Sequence, residues 1–205
     1  MSTKGISAGK TGLREQKKAL TRATIESTAL HRFLTDGYDA VRLEDLCVEC
    51  LVSTRTFFRY FTSKEDLVLG RLRSHLALAE QLLSERPASE PVTESLRAVI
   101  GAVAADYAAD SDRELTRLRL TATTPALGAG LGRVFAGFDA LVRRFLASRW
   151  HAAGDARGPR LVAAAAVAAF KVGLDLWAED GGKSDLGALI VVNLDELMAG
   201  ISDSL

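Results

Sequence analysis

The chain has 205 residues, 26 Lys+Arg against 26 Asp+Glu, and 48% hydrophobic residues. This is the balance of a globular protein of one or two domains, and it excludes a wholly disordered chain. The longest apolar run, Leu161 to Phe170, stops at Lys171, short of the roughly 20 residues a membrane span needs. With a polar N-terminus that lacks a secretory core and only two cysteines, Cys47 and Cys50, the chain reads as cytoplasmic, with no membrane partner. Ala and Leu number 32 and 30, while prolines number four. These residues head the helix-propensity ranking, so an all-α protein of about nine helices is predicted. The charge is unevenly spread: residues 1–74 carry 13 Lys+Arg against 9 Asp+Glu, and residues 75–205 carry 13 against 17. A polyanion, if one binds, binds at the front.

In chain order, residues 1–13 have little to bury and predict a flexible, weakly basic arm. From Arg14 to Leu34, Ile25, Ala29, Leu30, Phe33 and Leu34 recur at helical spacing, and Gly37 stands where a helix stop is wanted. A short helix fits Leu43 to Leu51 and a third fits Thr54 to Tyr60, with Phe57 and Phe61 facing inward. Ser63 followed by Asp66 is a capping signal for a long helix over 64–83. These elements predict a three-helix helix-turn-helix domain over 14–74. The stretch Arg86 to Pro91 is a linker, and helices follow at about 92–109, 111–123, 127–153, 158–180 and 185–202, a helical domain over 75–205. Leu131, Phe135, Phe138, Val142 and Phe145 form an apolar stripe, and the last two helices are apolar around much of their circumference. Such helices need cover on more than one face, which predicts a homodimer through them.

The second short helix has the form of a recognition helix. Phe57 and Phe61 anchor one side, leaving Thr54, Arg55, Phe58 and Arg59 on the other. Arg reads guanine bidentately, Thr bonds bases and meets the thymine methyl, and Tyr60 and Lys64 are placed to hold phosphates. The alternative is an exposed amphipathic hairpin with solvated charges.

The run Phe33-Leu34-Thr35-Asp36-Gly37-Tyr38-Asp39-Ala40, then Leu46, then Val52 through Leu67 resembles the DNA-binding segment of TetR-family transcriptional regulators. The resemblance covers roughly residues 14–70. It implies an all-α homodimer that represses transcription and leaves its palindromic operator when a small ligand enters the C-terminal domain. It places DNA contacts on Thr54, Arg55, Thr56, Phe58, Tyr60 and Lys64, joined by Arg59. Two positions depart from the family pattern. Leu51 stands where the turn usually has Gly, predicting mild strain; Arg42 stands where a Thr usually caps the second helix, and it reaches a phosphate instead.

Farther on, Arg113 to Leu120 and Leu174 to Gly182 resemble regulators of the mycofactocin system. Some of these answer to acyl-CoA, which implies a small lipophilic or acyl-type effector. Tyr107, Arg117, Phe138, Phe170 and Trp177 are the candidate ligand-binding residues, with plain core as the alternative. For Arg117, Arg119, Arg143 and Arg144 the alternative is surface salt bridging with Glu114 or Asp139. Gly5 to Thr11 has one residue too few for a phosphate-binding P-loop. Cys47 and Cys50 read as core filling, with redox sensing as the alternative, and His151 is given no role. No catalytic constellation, metal or cofactor is indicated, so the chain reads as a non-enzyme. The remaining alternatives are a DNA-binding protein without an effector and an all-helical enzyme acting on an acyl thioester.

Overall fold

The computed structural model describes residues 7–150 and 157–202, so most of the P-loop-like motif is described while His151 and residues 1–6 of the expected arm lie outside. Among the described residues there are nine α-helices and no strand: α1 (Ser7–Thr35), α2 (Leu43–Glu49), α3 (Thr54–Phe57), α4 (Asp66–Ser84), α5 (Val92–Ala108), α6 (Ser111–Thr123), α7 (Gly128–Arg149), α8 (Arg157–Glu179) and α9 (Leu186–Ser202). A single 3-10 turn, Pro125–Leu127, precedes α7. The chain forms two compact units, Met1–Val68 and Leu69–Leu205. The division falls inside α4, before the expected boundary at residue 74, because Leu72, Leu76 and Ala79 already pack into the C-terminal core.

In the first unit Ile25, Ala29, Leu30 and Phe33 of α1 are buried with Leu46 of α2 and with Phe57 and Phe61. Helix α1 starts at Ser7, well ahead of the expected Arg14, so residues 7–13 are helical where an arm was expected. Leu13 through Leu20 are all exposed. These turns are built from good helix formers such as Leu, Arg, Glu, Gln and Lys, which continue a helix without any apolar partner.

Three local devices hold the short helices. Gly37 takes φ +89°, the left-handed turn expected after α1. At the end of α2, Val52 N–H donates to Cys47 O at 2.9 Å and Leu51 N–H to Val48 O at 3.1 Å. This is a Schellman closure with Leu51 in the left-handed position at φ +54°. Before α4, Asp66 N–H donates to Ser63 Oγ at 3.1 Å while Thr62 N–H donates to the Asp66 carboxylate at 3.0 Å. Ser63 thus caps the helix start and the Asp66 carboxylate reaches back over it, in the manner of a capping box.

In the second unit the principal packings are α8 on α9, α7 on α8 and α5 on α9. Gly173 of α8 brings the α9 backbone close: a Cβ there would fall on the Ile190 side chain. Helix α8 is long and apolar enough, by length and composition alone, to cross a membrane. Its hydropathy has another destination, since Val162, Ala163, Ala169, Phe170, Leu174 and Trp177 are buried in the helical core.

Candidate nucleic-acid interface and effector cavity

Ser53 caps α3, its Oγ accepting from Thr56 N–H at 3.0 Å. Helical bonding persists for one turn and then tightens: Arg59 N–H reaches Thr56 O and Tyr60 N–H reaches Phe57 O, both three residues back. The expected rod over Thr54 to Tyr60 is therefore a four-residue helix followed by a tight turn. The tightening lets Phe61 come back on Phe57, with ring centroids 5.4 Å apart, and both rings are buried. Thr54, Arg55 and Arg59 are exposed, Thr56 and Tyr60 half-buried, and Phe58 is 54% exposed. The polar arc thus stands outward from an aromatic anchor, an arrangement that fits side chains for base edges and phosphates. Arg59 lies over the Tyr60 ring and donates to its hydroxyl at 3.2 Å. Arg42 is exposed in an extended conformation and makes no side-chain cap to α2; Glu44 and Asp45 complement that helix start instead.

Lys64 is placed differently from the expectation. It lies in the turn before α4, and its ammonium donates to Tyr38 O at 2.6 Å and Val41 O at 2.9 Å. It also sits over the Tyr38 ring at 4.3 Å. Partial burial holds its pKa below the ordinary lysine value, and burial pushes the Tyr38 hydroxyl up to about 12. A phosphate would have to compete with two carbonyls for this ammonium. Both cysteines are free; Cys47 is buried, and burial raises both thiol pKa values, as in core filling rather than a poised thiolate.

In the second unit α4, α5, α7 and α8 line a partly open cavity of about 60 Å³ whose lining is apolar throughout. Phe138 and Phe170 line it together with Ala79, Val103, Phe135 and Val142. Of the other expected ligand residues, Tyr107 lies behind the wall, edge-on to Phe170 at 6.0 Å. Trp177 is buried near the α8–α9 loop, where Gly182 N–H donates to its carbonyl at 2.8 Å, and it lines a second, open cavity of about 740 Å³ with Gly101, Ala104 and Leu186. Arg117 donates to Glu114 at 2.5 Å, the partner named in the salt-bridge alternative, but the pair is buried rather than on the surface. Arg143 pairs with Asp139 at 2.7 Å and Arg144 with Glu80 at 2.8 Å.

Sequence reasoning missed the company Arg117 keeps. Arg71 of α4 pairs with Asp106 of α5 at 2.7 Å and approaches Glu114 of α6 at 3.6 Å. His75 of α4 is completely buried, stacks on Tyr107 at 3.9 Å, and has Nε2 at 2.9 Å from Asp106 Oδ2. Burial first, and then the neighbouring Arg71, hold the His75 pKa down to about 4, so the ring is neutral near pH 7. The one signal available in sequence was the helical spacing of Arg71 to His75 and of Glu114 to Arg117.

Two family models divide the chain. Residues 25–70 match the tetR family of bacterial regulatory proteins, and residues 90–202 match the MftR C-terminal domain of that family. The chain belongs to the TetR family of transcriptional regulators. A TetR-family relative, MftR of Mycobacterium tuberculosis, named for mycofactocin biosynthesis, is 27% identical over 65% of this chain and 68% of its own. The regulator TcmR of Streptomyces glaucescens is 31% identical over 67% of this chain and 64% of its own. The chain thus spans about two thirds of the length of these relatives. Its fold is that of Bacillus subtilis FadR in complex with stearoyl-CoA, with a TM-score of 0.59 at 18% identity, covering 87% of this chain and 98% of that one. As a TetR-family member, the chain is a DNA-binding transcriptional regulator.

Proposed function

We propose that two copies of the chain join through α8 and α9, read a palindromic operator with their α3 arcs, and release it when a lipophilic or acyl-type effector enters the C-terminal domain. The observation that carries the DNA reading is the outward arc of Thr54, Arg55 and Arg59 over the buried Phe57–Phe61 pair. Arg42, Thr56, Phe58 and Tyr60 complete the contact set, and Lys64 buttresses the loop before α2 from behind. Pairing through the last helices is supported by an exposed apolar row on α8, Leu161, Ala164, Ala168, Val172 and Leu176, together with exposed Val192 and Leu197 on α9. Solvated, such a row is a liability; against a second copy it becomes an interface core.

The effector class follows from the cavity, whose lining offers a ligand no hydrogen bond. A hydrocarbon chain or ring suits it, with any polar head outside. At about 60 Å³ it holds only a few methyl groups, whereas ligand pockets span roughly 300–1,000 Å³. An occupant must therefore push α4, α5, α7 and α8 apart. The chain passes from one unit to the other within α4, so a conformer with α4 displaced is one with different spacing between recognition elements. Operator affinity then falls by the effector's differential affinity for the two conformers. Fatty acyl thioesters are the first class to test, in keeping with the ligand of the Bacillus subtilis FadR complex.

The test is selection of bound genomic fragments with the purified chain, then footprinting. Two-fold symmetric half-sites about 34–36 Å apart, or a multiple of that, are expected, and an acyl thioester added in excess should dissolve the footprint. Arg55→Ala should lower discrimination between operator and mismatched sites by about 1–3 kcal/mol. Asymmetric protection, or a footprint indifferent to every lipophile tried, contradicts the corresponding half of the proposal.

A further inference from the structure

The face of α1 that builds the first core does not end where the core ends. Phe33, Ala29 and Ile25 are buried along one row of the helix at steps of four. The same row runs on toward the N-terminus, by steps of three and then four, as Arg22, Lys18 and Arg14. Arg22 shows which way this continuation points. Its guanidinium donates to Tyr60 O at 2.8 Å and lies over the Phe61 ring at 4.6 Å, so the row passes the end of the recognition turn. Lys18 and Arg14 follow about 6 and 12 Å farther along the axis at 1.5 Å per residue. Both are exposed. The local anion is Glu15, 4.0 Å from Lys18, with both side chains more than half in solvent, a pairing too weak to hold the lysine. An amphipathic helix whose inward row turns from apolar to cationic, beside a surface already proposed to meet a duplex, is a ready phosphate contact.

Resting on the DNA-binding reading, we propose that the N-terminal turns of α1 are a second DNA-contacting element, in which Arg14 and Lys18 grip the phosphodiester backbone beside the bases approached by Thr54 and Arg55. They position and add affinity without reading sequence. They thereby supply the charge-neutralising contact that Lys64, with its ammonium on two carbonyls, is poorly placed to make.

The experiment compares the full chain with an Arg14→Gln/Lys18→Gln double variant and a charge-keeping Arg14→Lys/Lys18→Arg variant. Binding to a selected fragment and to a random-sequence duplex is measured across a salt series. The Gln variant should show a slope of log affinity against log salt shallower by nearly two for each bound copy, and by nearly four for a bound dimer, at about 0.9 per phosphate contact. Its affinity for the two duplexes should fall by the same factor, with the thermal midpoint unchanged. The charge-keeping variant should retain the parental slope. An unchanged slope in the Gln variant, or an equal loss in the charge-keeping one, overturns the proposal while leaving the α3 reading intact. A parental chain that binds neither duplex removes the DNA-binding reading itself, and this proposal with it.

Discussion

Leu51 holds a left-handed backbone position with its side chain 93% exposed, so it incurs the steric penalty of that conformation and recovers nothing by packing. A Cβ there costs about 1–2 kcal/mol, partly offset against glycine by the extra freedom glycine has when unfolded. Leu51→Gly should therefore stabilise the first unit by about 0.5–1 kcal/mol, read as a later chemical-denaturation midpoint; an earlier one would show that the leucine is held by something else. Lys64 makes the opposite case. Replacing it by Met keeps the stem but leaves the carbonyls of Tyr38 and Val41 without their donor. A loss of about 1–3 kcal/mol is expected, with little change in the salt dependence of DNA binding. A Lys64→Met protein of parental stability and a shallower salt slope would restore the phosphate-holding role expected from the motif.

Among the helices, spacing is set by the smallest residues. Gly173 lies where α8 meets α9, and any Cβ there meets Ile190. Gly173→Ala should cost about 1–3 kcal/mol as the pair is forced apart, and should weaken self-association if α8 and α9 form the dimer face. Gly132 of α7 has open space around its Cβ position, so Gly132→Ala should instead gain up to about 1 kcal/mol from helix propensity alone. Thermal melts of the two variants should shift in opposite directions; equal shifts would mean that the α8–α9 approach carries no strain. The same contrast separates what periodicity reports from what it misses. The expected α6, 111–123, is the helix found, because Asp110 and Thr124 bound a clear amphipathic run. The start of α1 was misplaced because Ser7 to Gly12 carry no apolar periodicity in the sequence, and a pattern of apolar residues is silent about a helix without an apolar face.

Across the second unit, Arg71 and His75 of α4, Asp106 and Tyr107 of α5, and Glu114 and Arg117 of α6 form one polar knot beside the apolar cavity, with Arg71 and Asp106 at its half-buried edge. His75 is the acid-sensitive member. Its pKa is about 4 when folded against the ordinary 6.5, so the unfolded chain takes up the proton first as pH falls. Stability contributed by the neutral ring is complete above about pH 6.5, declines as pH drops, and is gone by about pH 4. His75→Phe keeps the stack on Tyr107 without the titration and should flatten that part of the curve in denaturation at stepped pH. An unaltered acid limb would assign it to the carboxylates instead.

At this scale the division of labour is plain. The all-helical class, the recognition anchor of Phe57 and Phe61, the Gly37 stop and the Ser63–Asp66 cap were legible in the chain, because each is dictated by residues within a few positions of one another. The commitment of Lys64 to two carbonyls, the burial of Arg117 and His75 in one knot, and the placing of Tyr107 behind the wall of one cavity and of Trp177 in the lining of another were decided only in three dimensions. Their partners come from other helices or from loops far along the chain. Whether a charge meets solvent, a carbonyl or an opposite charge depends on which helices pack together, and local spacing does not encode that.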